Sequence, residues 1–184
     1  MSNVPVEKPL DNKKTYKQSG SRVRGILGWI AFVLAVFVIT RYVFPVIICV
    51  GKSMQPNFYD SDFIIGSAIH GELQRGDIIV FDRDGTDMLK RVVALPGDVI
   101  DMDKETCEVK INGEVVVPAN TQLIDSDCQT QLDNTVVPDG HVFVLGDNYA
   151  ISEDSRCNSV GMVNEDSIIC VMILHLPLGD RPDK

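Results

Sequence analysis

The sequence predicts a mainly β domain behind a single N-terminal transmembrane helix. Three observations carry that reading. An apolar run near the N-terminus approaches the length of a bilayer span. After Phe44 the chain breaks into short β-type runs punctuated by turn residues. Beyond that point no helical period of useful length appears.

The elements follow in order. Residues 1–24 form a basic tail, which positive-inside asymmetry places in the cytoplasm. Its six lysines and arginines stand against Glu7 and Asp11, a net +4, and the first 20 residues, polar with Pro5 and Pro9, read as disordered. The whole chain of 184 residues carries −9, so the rest carries −13. That balance argues against general nucleic-acid binding.

The run "ILGWIAFVLAVFVI", Ile26 to Ile39, has no charge. The span reaches about 20 residues, 25–44, if Arg41 snorkels to the interface. Trp29 and Tyr42 would sit at the boundaries. A cleaved signal peptide is the rival reading, but no A-x-A-like site follows Ile39. Pro45 ends the helix because it cannot continue the hydrogen-bond ladder. Residues 45–184 are then the extracytoplasmic β-domain. Within them "VKINGEVVV" reads as a hairpin turning at Asn112-Gly113. Thr121 to Thr135 reads as an irregular surface insertion.

Five cysteines include no C-x-x-C pair, which argues against zinc. Cys107 and Cys128 flank the polar insertion and are placed to bridge in an oxidising compartment, whereas Cys170, in "IICVMIL", reads as core. The three histidines, His70, His141 and His175, form no H-E-x-x-H pattern, so neither a metal nor another cofactor is implied.

Three stretches can carry chemistry. In "DMLKRVVALPGD", read as a strand, Lys90 shares a face with Met88, Val92 and Ala94, while Arg91 shares the other with Leu89, Val93 and Leu95. Whichever face packs inward, a cation is set among hydrocarbon. Lys90 is either an edge or ion-paired residue, or an amine kept neutral by desolvation. In "VGKSMQPNF", Ser53 is either a turn residue or a nucleophile. "LGDNYAISEDSR" is either a tight polar turn or part of a site. A serine hydroxyl needs a base, and a neutral lysine is a recognised one.

Together these stretches resemble type I signal peptidases. "GKSMQP" resembles the nucleophile box, "LKRVVALPGD" the lysine box, and "GDNYAISEDSR" the third box, while "RGDIIVF" is typical of the strand between the first two. All occur in family order, over roughly residues 25–175. The resemblance implies a coiled, mostly antiparallel, barrel-like β-domain on the outer membrane surface. It implies Ser53 as nucleophile, Lys90 as general base and Ser152 as the serine that orients the amine. Asp147, Asp154 and Arg156 would brace the site, and Gly51 and Met54 would border the substrate cleft and oxyanion position. Gly51 matches Gram-positive-type members. The implied activity is a membrane-bound serine endopeptidase that removes N-terminal signal peptides from exported preproteins, after small residues at −3 and −1, at the cell membrane with its domain outside the cytoplasm. An alternative is an inactive or narrowly dedicated relative acting in pilus or surface-protein assembly.

Overall fold

A computed structural model describes residues 17–121 and 132–181. Helix α1 spans Lys17–Tyr42. It starts well before Gly25, the expected beginning of the span, and takes in residues 17–20 of the segment read as disordered. Past Pro9 no proline interrupts the chain, so nothing local stops a helix from extending upstream of its apolar part. Its Arg22–Tyr42 portion, 21 residues, is long and apolar enough to cross a membrane. The helix ends before Pro45, as the proline requires.

The remainder, from Arg41, is a separate compact unit. Among the described residues its regular structure is β apart from one 3-10 turn at Glu165–Ser167. The strands are β1 (Val46–Ile48), β2 (Phe63–Ser67), β3 (Ile78–Arg83), β4 (Thr86–Ala94), β5 (Val99–Met102), β6 (Val109–Ile111), β7 (Glu114–Val117), β8 (Leu132–Val136), β9 (His141–Leu145), β10 (Val163–Asn164) and β11 (Ile168–Leu176). A seven-stranded sheet runs β1-β2-β11-β3-β4-β9-β10, and a four-stranded sheet runs β7-β6-β5-β8. Their pairings are antiparallel. Each sheet keeps two free edges among the described residues, so the barrel-like closure that was expected is absent.

Local chemistry explains the hairpins. Asn112 and Gly113 both take positive φ, 52° and 85°, the two-residue turn that matches the twist of the flanking β6 and β7. Asp84-Gly85 joins β3 to β4 in the same manner. β8 lies partly inside the stretch read as an irregular insertion. Its sequence, LDNTV, lacks an apolar alternation, and only pairing to β5 makes it a strand.

Three apolar clusters hold the unit together. Ala94, Phe143 and Leu145 of the large sheet pack against Ile100, Met102, Val109, Ile111 and Val117 of the small one. Ile79, Phe81, Val92, Val142 and Val144 form a second cluster within the large sheet. The third gathers Cys49, Met54, Phe58, Ile64 and Ile78 around the start of the domain. Cys170 is fully buried, as a core residue should be, and burial pushes its thiol up to about 11.

The disulfide expectation fails at Cys107, which is a free thiol, while Cys157 is disulfide-bonded. Cys107 is turned inward and its N–H is tied back to the Asp103 carbonyl in the tight turn before β6, so its sulfur does not face outward. Cys128 lies outside the described residues.

Candidate active site

The site forms where the loop between β1 and β2, strand β4, and the loop after β9 converge. β4 supplies the base candidate. Lys90 faces Ile79 across the β3–β4 ladder, and its same-face neighbours Val92 and Ala94 are fully buried. Lys90 itself is 3% exposed. Its Nζ lies 2.9 Å from Ser53 Oγ, in hydrogen-bond contact. Burial pushes its pKa down from the ordinary lysine value, against the opposing pull of Asp154, Glu153 and Asp147, and with help from the Arg156 charge.

The loop 49–62 presents Ser53. Its neck is closed by a reciprocal pair, Cys49 N–H to the Asp62 carbonyl at 2.8 Å and Ser61 N–H to the Cys49 carbonyl at 2.9 Å. Gly51 has φ 94°, and its N–H donates to Asp60 Oδ1 at 2.9 Å. That N–H is therefore committed to shaping the loop. Met54 is 4% exposed and packs with Cys49, Phe58, Ile64 and Ile78, so it supports the serine from within the core more than it borders a cleft.

The loop after β9 docks on the serine loop through its backbone. Asn148 N–H donates to the Ser53 carbonyl at 2.9 Å, and Asn148 Nδ2 reaches the Lys52 carbonyl at 3.3 Å. Gly146 permits this approach. A Cβ there would overlap Ser152 Oγ and the Ser53 carbonyl oxygen, and would stand only 2.6 Å from Ser152 Cβ. Ser152 is thus placed between Gly146 and the serine loop, but its buried Oγ makes no protein hydrogen bond. The expected contact from Ser152 to the Lys90 amine is not formed.

Asp147, Asp154 and Arg156 lie in the loop after β9. Asp154 and Arg156 are both fully buried, joined by Nε to Oδ1 at 2.8 Å and Nη2 to Oδ2 at 2.9 Å. Asp154 Oδ2 also accepts the Gly146 N–H at 3.0 Å, and Arg156 Nη2 donates to the Tyr149 carbonyl at 2.8 Å. The pair thereby pins both ends of the loop. Asp147 takes a bidentate bond from Arg91, 2.7 Å on each oxygen, and a bond from Asn57 Nδ2 at 2.8 Å. Ser155 completes the brace: its N–H donates to the Val144 carbonyl and its Oγ accepts the Val144 N–H.

Five contributors were not among the predicted site residues: Arg91, Asn57, Asn148, Gly146 and Ser155. Arg91 did leave a signal, as the second cation among hydrocarbon on β4. The same logic that sought a partner for Lys90 applied to it.

The family described as signal peptidase, peptidase S26, matches residues 23–176. The chain belongs to that family. It is 32% identical over 170 residues to signal peptidase I of Bacillus amyloliquefaciens, covering 84% of this chain and 90% of that one. Signal peptidase IB of Staphylococcus aureus strain Mu50 is 31% identical over 157 residues, covering 76% of this chain and 78% of that one. A crystal structure of a signal peptidase I from Enterococcus faecalis V583 aligns with 28% identity and a TM-score of 0.41, covering 56% of this chain and 98% of that one. This member of the signal peptidase family is accordingly a peptidase, with a mainly β antiparallel domain and an N-terminal apolar helix.

Proposed function

We propose that this signal peptidase removes N-terminal signal peptides from exported preproteins by a Ser53–Lys90 dyad. The observation that carries the reading is the 2.9 Å contact between a serine hydroxyl and a desolvated lysine amine. A base must stand within about 2.6–3.2 Å of the heavy atom whose proton it takes, and Lys90 Nζ lies 2.9 Å from Ser53 Oγ. Lys90 accepts the Ser53 proton as Oγ attacks the scissile carbonyl. The Ser53 backbone N–H helps hold the oxyanion. As the tetrahedral intermediate collapses, Lys90 returns the proton to the leaving amine, and the signal peptide stays on Ser53 as an ester. Lys90 then takes a proton from the water that attacks the ester and returns it to Ser53 Oγ as the signal peptide leaves with a free carboxylate. No step requires a metal or other cofactor.

Asp147, Asp154 and Arg156 act by holding the loop that fixes the Ser53 carbonyl, and Ser152 acts from beside it. Small residues at −3 and −1 of the substrate suit the family reading, since shallow apolar pockets accept a methyl side chain and exclude larger ones. The apolar helix anchors the enzyme in the cell membrane, and the +4 head holds the N-terminus in the cytoplasm with the catalytic unit outside.

Purified full-length enzyme in detergent should cleave a preprotein, and folded Ser53→Ala and Lys90→Arg variants should not, because a guanidinium stays protonated. Cleavage by either folded variant refutes the dyad. Protease added to intact protoplasts should digest the chain beyond Phe44; protection would reverse the orientation.

A further inference from the structure

The segment after β11 does not end the domain passively. It runs back over the serine loop and closes on one buried carboxylate, that of Asp62, which is fully buried at the loop's neck. Asp62 Oδ1 accepts the Gly179 N–H at 2.8 Å. Asp62 Oδ2 accepts from His175 Nε2 at 2.8 Å, Arg181 Nη2 at 2.8 Å and the loop's own Tyr59 N–H at 2.9 Å. Burial alone would raise the carboxyl, but these donors outweigh it and hold it well below the usual carboxylate range.

The packing repeats the pattern. The Arg181 guanidinium lies 5.0 Å from the centre of the Tyr59 ring, and the His175 and Phe58 rings are 4.5 Å apart. Gly179 passes so close to the Asp60 carbonyl that a Cβ there would overlap it. Tyr59, Asp60 and Asp62 belong to the loop that presents Ser53, whereas His175 belongs to β11. β11 lies two strands from the β4 that carries Lys90, through β3. The family match stops at residue 176, so Gly179 and Arg181 lie past it.

We propose that His175, Gly179 and Arg181 form a clasp on Asp62 that positions Ser53 against Lys90. The proposal rests on the reading of Ser53 as nucleophile. The loop has two restraints. Asn148 and Asp147 hold it on the side of the β9 loop. The clasp holds its other side to the sheet. Without the clasp, Ser53 keeps its chemistry and loses its register with the base. The residues of the clasp touch neither substrate nor the reacting atoms; they are positioning residues. Their loss should therefore fall on kcat and leave KM nearly alone.

The test uses full-length enzyme in detergent and a fluorogenic preprotein-derived peptide, assayed well below the melting temperature. The Arg181 side chain is 35% exposed, so Arg181→Ala should fold, with circular dichroism as the check. It should lower kcat roughly tenfold with KM changed less than about twofold, because small displacements of reacting groups are costly. Arg181→Lys should recover most of the rate, since a single N–H reaches Asp62. Deleting residues 179–184 removes two donors and should cost roughly a hundredfold. Ser53→Ala is run beside them. If Ser53→Ala is inactive while Arg181→Ala and the deletion both keep kcat within about twofold of wild type, the clasp is overturned and the nucleophile stands. A loss confined to KM also overturns the clasp. Cleavage by Ser53→Ala overturns the nucleophile reading, and the clasp with it.

Discussion

Replacing Arg156 with alanine tests the brace most directly. The guanidinium is fully buried and saturates both oxygens of an equally buried Asp154. Its removal leaves that carboxylate with the Gly146 N–H at 3.0 Å and the residue 156 N–H at 3.3 Å, neither of which carries a charge. Breaking a buried pair from one side costs about 3–5 kcal/mol, because the remaining ion cannot recover its hydration. Domains of this size hold about 5–15 kcal/mol in total. The loss should lower the melting temperature by about 6–20 °C, taking about 2–4 °C per kcal/mol for a chain this long.

Urea unfolding of full-length protein in detergent, read by circular dichroism, measures the change, with peptidase rate followed in parallel. A paired change, Asp154→Leu with Arg156→Met, separates charge from shape. It leaves no stranded ion, so stability should recover relative to Arg156→Ala. The rate should stay low, because the Gly146 N–H then has no acceptor and the loop that holds the Ser53 carbonyl loosens. If Arg156→Ala costs less than about 1 kcal/mol and keeps wild-type rate, the pair is not a brace.

Two further outcomes follow from the same geometry. Lys90→Met should be inactive yet more stable than wild type near neutral pH. The native amine is held below the unfolded lysine value of about 10.4, so between the two the unfolded chain binds more protons and wild-type stability rises with pH. The advantage of Lys90→Met should shrink across that window; a difference in urea midpoint that is flat with pH would mean Lys90 is not desolvated in the native state. Gly146→Ala should cost roughly a hundredfold in kcat, since the methyl displaces Ser152 and the Ser53 carbonyl together. Wild-type kcat in that variant would show that the close approach is dispensable.

The Asn112-Gly113 hairpin, the helix boundary at Pro45 and the two apolar faces of β4 were legible because each has a local cause. Asn112-Gly113 needs no distant contact to turn, and the Lys90–Val92–Ala94 face follows from a period of two. β8 was not legible, because LDNTV has no pattern of its own and becomes a strand only against β5. Barrel closure was an import from the resemblance, and sheet edges depend on long-range pairing that no short window contains. The Asp62 clasp was hidden for the same reason: Asp62 and its partners lie more than a hundred positions apart, and nothing in "YDSDF" marks one of its two aspartates as an anchor. Residue types alone left Ser53 and Lys90 with two options each; the resemblance joined them as a dyad, and their 2.9 Å contact supports that proposal.

The two adjacent cations of β4 show why only one can serve as a base. Arg91 meets a carboxylate: Asp147 binds it through both oxygens, and that bond holds it charged. Lys90 meets a hydroxyl, which cannot offset an ammonium. Carboxylates do lie close enough to pull on Lys90, but Asp147 is spent on Arg91 and Asp154 on Arg156. The Arg156 guanidinium offsets part of that attraction, and desolvation, the largest cause, holds the amine below the ordinary lysine value. The Asp154–Arg156 pair is thus an electrostatic screen as well as a brace. Arg156→Ala should therefore do more than loosen the loop. It exposes Lys90 to an unpaired Asp154 and removes a cation that helps depress the amine, and both changes favour the ammonium. The residual activity of Arg156→Ala should rise with pH later than wild type, with its acidic limb displaced to higher pH. Profiles of kcat/KM against pH for the two enzymes, taken at a temperature where both are folded, decide the matter. A limb that stays in place would leave Arg156 a purely mechanical role.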